Sequence, residues 1–457
     1  MNAPAALPSH ARAPGPRGLP LLGNALSMGG SGALPFYLRV GERYGDVVGL
    51  SAGPLPVFVL RNPEHLHHVL VKNQSNYKKG LAYDGLRLLL GQGLVTSEGD
   101  LWRTQRRLMQ PSFTPKAITQ FFAMMVEVTE QMLARWQQRG DVDLVIDDEM
   151  TGLTMSIISR ALFGVDLGTE RNEVGEALRE AFAFIPKRTM NAVGIPLGFP
   201  LPSHLRFRRA MRTIDDFVRQ MIAAGRARGA QQGDALISLL LAARDEEGGG
   251  SMSEAQLHDE ILTLFFAGFE TTARTLTWAI YLLARHPEVQ TRLRDEARTV
   301  LGERSLGLDQ LFALTYTRMV ADETLRLYPP TALLARQAVS DDEIGGYRVP
   351  EKSLIILVPY AAHRHSSLWP DPERFDPERF APEAVAARPK YAFIPFASGP
   401  RICIGNNFAL MEMNVALAML ARRFSVTMVD PRPLGAQFAG TMRPDRDLVV
   451  RLGPAGG

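Results

Sequence analysis

The β-forming stretches of this 457-residue chain lie toward its two ends, with a long helical middle between them. Residues 47–50 and 57–60 are short β-like runs joined across Gly53-Pro54, a hairpin signal. Strand-like runs return at 335–338 and 354–358, and short β pieces follow residue 423 as far as Val450. From about residue 63 to 328 apolar residues recur with a helical period. Breaks fall at Gly91-Gln92-Gly93, at 111–115, at 194–202 and at Gly248-Gly249-Gly250. Strands drawn from both ends can share a sheet only if the chain folds back on itself. The pattern therefore predicts a mainly α chain with one small β region (α+β), a single unit over 25–457 behind a Pro/Gly-rich lead-in over 1–24.

Cys403 is the chain's one cysteine, so it has no disulfide partner in its own chain. Nor can it build a zinc cage or hold an iron–sulfur cluster, which need several thiolates or imidazoles. Apolar residues at 46% and charged residues at 22% leave room for a core that encloses a bulky cofactor. A net charge of +3 is too weak to argue for nucleic acid. The start, Met1-Asn2-Ala3-Pro4, has no apolar core of signal-peptide length, and no uncharged apolar run reaches membrane-spanning length. With so little cysteine, a cytoplasmic location without a membrane span is expected.

The cysteine sits in Phe396-Ala397-Ser398-Gly399-Pro400-Arg401-Ile402-Cys403-Ile404-Gly405. A lone thiol is often buried filler. Here glycines flank it, a cation precedes it, and a helical pattern over about Asn406–Arg423 follows. Glycines let the backbone turn tightly, and a helix start presents amides that stabilise a thiolate. Such a loop suits an axial ligand to a flat, anionic cofactor.

Three further constellations stand beside it. Glu323-Thr324-Leu325-Arg326 places an acid and a base three apart on one helix face, and its bland reading is a surface ion pair. Ala267-Gly268-Phe269-Glu270-Thr271-Thr272 lies mid-way along a long helix that opens at Ser253-Glu254-Ala255-Gln256, which has capping-box spacing. Glycine there costs about 1 kcal/mol relative to alanine, and close helix packing is the bland reason for it. Trp102 and Arg106 share a face, which by itself describes an amphipathic surface helix.

In their order, and over nearly the whole chain, these motifs resemble those of the cytochrome P-450 superfamily, the haem–thiolate monooxygenases. The resemblance implies that fold, with a long central helix over haem b (iron protoporphyrin IX) and Cys403 as the metal ligand. Thiolate donation favours cleavage of a bound O–O bond. By the same resemblance Trp102, Arg106, Arg336 and Arg401 anchor the haem propionates, and Phe396 and Gly405 line the cofactor. Arg379 of Phe375-Asp376-Pro377-Glu378-Arg379-Phe380 joins Glu323 and Arg326 in a structural set, ahead of Arg374. Thr271 bonds back to Ala267 and helps widen the helix, with Glu270 and Thr271 serving oxygen binding and proton delivery.

The family's pocket positions fall on 81–90, 182–186, Phe265, Ala267, Ala332, Leu333 and Thr441. They are largely apolar, so a lipophilic substrate is expected, whether fatty acid, terpenoid, steroid or polyketide. No Rossmann-type glycine fingerprint is present. A monomer is expected to take electrons from a ferredoxin or flavodoxin with its NAD(P)H-dependent reductase. Arg103, Arg107 and Lys116 would dock that acidic partner. His65, His67, His68, His363 and His365 are read as non-ligands, and Met109, Met124 and Met125 as core. A peroxide-driven haem enzyme and a non-catalytic haem sensor remain as alternatives.

Overall fold

The computed structural model describes residues 12–30, 32–140, 143–167, 173–189, 198–228, 235–243, 250–302 and 304–454. The first eleven residues of the lead-in lie outside them. So do the side chains at 182–186, apart from Phe184.

The helices that position the site are α1 (Gly99–Met109), α2 (Phe122–Arg139), α3 (Ile146–Phe163), α4 (Pro202–Arg228), α5 (Glu254–Arg285), α6 (Thr315–Leu327) and α7 (Asn406–Arg423). The capping box at the start of α5 is closed in both directions. Ser253 Oγ accepts the Gln256 N–H at 3.2 Å, and Gln256 Oε1 accepts the Ser253 N–H at 2.9 Å. With 32 residues α5 runs about 48 Å. It stays α-helical throughout, so the expected widening does not appear as a π turn. Close packing accounts for Gly268, because a Cβ there would lie 2.7 Å from Ile158 Cδ1 on α3. Helix α7 is buried on almost every side from Phe408 to Ala421, as an interior helix must be. It packs against α2, α5 and α6. One apolar cluster joins residues from Ala33 to Leu452.

The strands β1 (Val47–Ala52), β2 (Leu55–Leu60), β3 (Tyr77–Lys78), β4 (Leu334–Ala338) and β5 (Leu354–Leu357) form a sheet in the order β1-β2-β5-β4-β3. Val57 of β2 lies opposite Leu354 of β5 in a parallel pair, and the other pairs are antiparallel. Both ends of the chain thus feed one sheet. The C-terminal pieces do not join it. Val449–Pro454 pairs with Phe424–Met428 on one side and with Asp143–Val145 on the other, while Ala436–Ala439 pairs with Thr441–Pro444. Asp143–Val145 spans three residues, too few to show a period within a helical stretch. Among the described residues no helix is long and apolar enough to cross a membrane.

Candidate active site

The loop before α7 is tied shut by its own backbone. The Cys403 N–H donates to the Phe396 carbonyl at 2.9 Å, and the Ile402 N–H to Gly399 at 3.1 Å. Ala397 and Gly399 both have positive φ, 60° and 71°. Alanine is strained there. At position 399 a Cβ would in addition come within 2.1 Å of the Leu70 carbonyl oxygen. Gly405 differs, since its φ is −90° and a Cβ there would meet no protein atom within 4 Å. Added bulk at that position would project into open space beside the thiol.

Cys403 is solvent-accessible, yet protein atoms surround it, so the thiol stands on the wall of an interior space. Burial pushes the thiol pKa up, while the Gly405 N–H and the Arg106 guanidinium act against that rise. Arg106 Nη1 donates to the Ile402 carbonyl at 2.8 Å. It therefore braces the cysteine loop.

Helix α5 packs on α7 and is itself buried for most of its length, yet Ala267, Gly268 and Thr271 near its middle are only half-buried. Ala267 and Thr271 are four apart and share a face. Thr271 Oγ1 donates to the Ala267 carbonyl at 2.9 Å. Phe265 points to a different face, stacking on Phe163 of α3 with ring centroids 6.1 Å apart, and so sits in the core with Phe269. Ala332 is fully buried and Leu333 half-buried. Glu270 Oε1 accepts from Thr441 Oγ1 at 2.8 Å and from Arg443 at 3.3 Å, with Arg274 at 3.7 Å. Thr441 is thereby turned to Glu270. Arg274 in turn pairs with Asp147 of α3.

Arg401 lies flat on the Trp102 ring at 3.8 Å. It donates to the Ser97 carbonyl at 3.0 Å and to Glu98 Oε2 at 2.7 Å. Arg336 is buried, bonded to its neighbour's carbonyl and to Tyr83. Lys79 joins these two. Its ammonium is buried and donates to the Leu94 carbonyl at 3.0 Å. Burial and then Arg401 push Lys79 down to about 6, with Arg336 adding to the push and Glu98 opposing it. Burial brings Arg401 to about 10, with Glu98 opposing and Arg336 adding. Lysine at 79 was not singled out by the sequence, because the adjacent Lys78 is equally plausible there and only the fold buries one of the two.

These residues fit haem. Propionates beside Lys79 would raise its pKa and keep it charged; Lys79, Arg336 and Arg401 against the carboxylate of Glu98 then carry two positive charges, which two propionates neutralise. The thiol, the open space at Gly405 and the half-buried face of α5 complete the donor set for a flat iron porphyrin.

A separate charge cluster lies on α6. Glu323 and Arg326 have side chains wholly shielded from solvent and form a bidentate pair at 2.6 and 2.8 Å. Arg379 Nε lies 3.6 Å from Glu323, whereas Arg374 contributes only its carbonyl, to Arg326 at 3.1 Å. Two further buried groups are His363, which the sequence marks only as a non-ligand, and Glu412, which no local pattern marks. His363 accepts the Ile394 N–H on Nε2 at 3.0 Å, and burial among Arg326 and Arg364 holds it down to about 3. Glu412 on α7 is fully buried beside Thr272, and burial pushes its carboxyl well above the usual range, the Thr272 bond acting against it.

Arg103, Arg106, Arg107 and Lys116 line one groove of about 1110 Å³ with Trp102 and Leu239. Arg103 there pairs with Asp100.

The chain is matched from residue 13 to 449 by the family model described as Cytochrome P-450, and it belongs to that family. It is 35% identical over 440 residues to cyclooctatin synthase of Streptomyces melanosporofaciens, covering 95% of each chain. It is 34% identical over 415 residues to pentalenene oxygenase of Streptomyces avermitilis, covering 90% of each. The fold matches the crystal structure of the cytochrome P450DA heme domain with a TM-score of 0.89 at 26% identity, over 97% of this chain and 98% of that one. The protein is thus a haem-dependent monooxygenase.

Proposed function

We propose that this enzyme hydroxylates a lipophilic, terpenoid-like molecule, with electrons from a separate ferredoxin or flavodoxin and its NAD(P)H-dependent reductase. The observation that carries the reading is the half-buried Ala267–Thr271 face of α5, opened in an otherwise buried helix that packs on the helix behind Cys403. Pentalenene, the compound in the name of one relative, is an alkene, and it suits walls built from Ala267 and Leu333.

Bound haem supplies the iron centre at which dioxygen is activated. The chain's own part is positioning and proton supply. Cys403 is the iron ligand, held by the Phe396 carbonyl. Thr271 keeps its hydroxyl on the open face. Glu270 is the adjacent acid, and its partner Arg443 has a side chain 39% exposed, which gives the carboxylate a route to solvent. The groove carrying Arg103, Arg107 and Lys116 reaches the cysteine loop through Arg106, and its charge suits an acidic electron donor.

The test is a titration of haem-loaded protein with pentalenene-type hydrocarbons and, in parallel, with fatty acids, following the iron spin state. Hits then go to turnover under ¹⁸O₂ with ferredoxin, reductase and NADPH. Spin-state shifts with the hydrocarbons and one labelled oxygen in product are expected. Shifts with fatty acids alone, or turnover with hydrogen peroxide and none with ferredoxin, would contradict the reading.

A further inference from the structure

Glu98 occupies the N-cap position of α1, and its side chain makes no capping bond. It reaches away from the helix instead. Oε1 accepts the Lys79 backbone N–H at 3.0 Å, and Oε2 pairs with Arg401 at 2.7 Å. It thus ties the Lys79 backbone to the Arg401 guanidinium. Asp84 pairs with Arg87, and Glu98 is the carboxylate that pairs with Arg401 itself.

We propose that Glu98 is the counter-charge of the propionate cage: it holds Arg401 on the Trp102 ring and fixes the net charge near the haem, and so tunes how readily the iron is reduced. Reduction adds one electron to ferric iron and makes or breaks no bond. A nearby carboxylate opposes that added charge and a nearby ammonium favours it, most strongly where solvent is excluded. Glu98 is a positioning residue here, acting through Arg401 and Lys79.

The experiment is a dye-mediated redox titration of the holoprotein, with haem transfer to excess apomyoglobin as a second readout. Neither needs a substrate or a redox partner, so failure here is separable from failure of the substrate reading. Glu98→Gln is expected to move the ferric/ferrous midpoint positive, and Glu98→Asp to return it toward wild type. Lys79→Met is expected to move it negative and to release haem several-fold faster. The double variant Lys79→Met/Glu98→Gln carries the wild-type net charge, so its midpoint and haem loss should lie closer to wild type than either single variant. If Glu98→Gln is recovered without haem, the double variant must regain it. An unmoved midpoint in Glu98→Gln, or a double variant displaced as far as the worse single, overturns the proposal.

Discussion

Two buried charge clusters built from similar residues are finished in opposite ways. Around Arg326 every guanidinium nitrogen has an acceptor: both Glu323 oxygens and the carbonyls of His363, Pro372 and Arg374. The Asp376 N–H fills a further Glu323 lone pair at 2.9 Å. Around Arg401, the Lys79 and Arg336 side chains crowd the guanidinium, and Glu98 is the carboxylate that pairs with it. A cluster that satisfies itself is scaffold, and breaking it strands a buried charge. A cluster left with excess charge of one sign is addressed to a ligand that brings the other. The contrast separates the residues that hold the fold from those that hold the cofactor.

The comparison breaks most sharply through stability. Arg326→Ala leaves buried Glu323 without its bidentate partner, with only Arg379 at 3.6 Å, and should cost about 3–5 kcal/mol, measured by urea unfolding of haem-free protein. Arg401→Met should cost the haem-free protein under about 1 kcal/mol, since its partner Glu98 is part exposed, yet it should speed haem loss. Equal destabilisation by the two would erase the distinction.

His363 extends the scaffold side to pH. Its folded pKa of about 3 lies below the usual 6.5, so the unfolded chain binds the proton first as pH falls. Its contribution is full above about pH 6.5. It is lost downward toward pH 3 and amounts to on the order of 4 kcal/mol. His363→Gln should flatten that part of the stability–pH curve, and an unchanged slope would contradict the neutral assignment.

On the chemical side, Thr271→Ala or Glu270→Gln should lower product formed per NADPH consumed by about 100-fold while leaving haem retention unchanged. A loss of haem with either would move them to the scaffold. The smallest effect is expected at Glu412. A neutral buried acid is mimicked by its amide, so Glu412→Gln should change the unfolding free energy by less than about 1 kcal/mol, and a large loss would mean that the group is charged.

What the sequence disclosed was what local pattern encodes. The cap at Ser253, the span of α7 and the Phe-x-x-Gly-x-Arg-x-Cys-x-Gly loop are each written in contiguous residues. What it hid depends on partners distant along the chain. Lys79 matters because Arg336 and Arg401 are brought to it, and Glu98 because it reaches Arg401, 303 positions away. The resemblance puts Phe265 in the pocket with Ala267, and helical spacing cannot say which face of α5 meets α3, so the stacking of Phe265 on Phe163 is not legible in it. The resemblance puts Arg106 against the propionates, while its bond to the Ile402 carbonyl, 296 positions away, is a contact no local pattern shows.

The central claim is that the Cys403 sulfur is the iron's protein ligand. Reduction of the purified holoprotein with dithionite under carbon monoxide tests it most directly. The account predicts the red-shifted Soret band of thiolate coordination in the wild type and its loss in Cys403→Ser or Cys403→His. An imidazole-type band in active wild-type protein, or a thiolate-type band surviving either substitution, would contradict it.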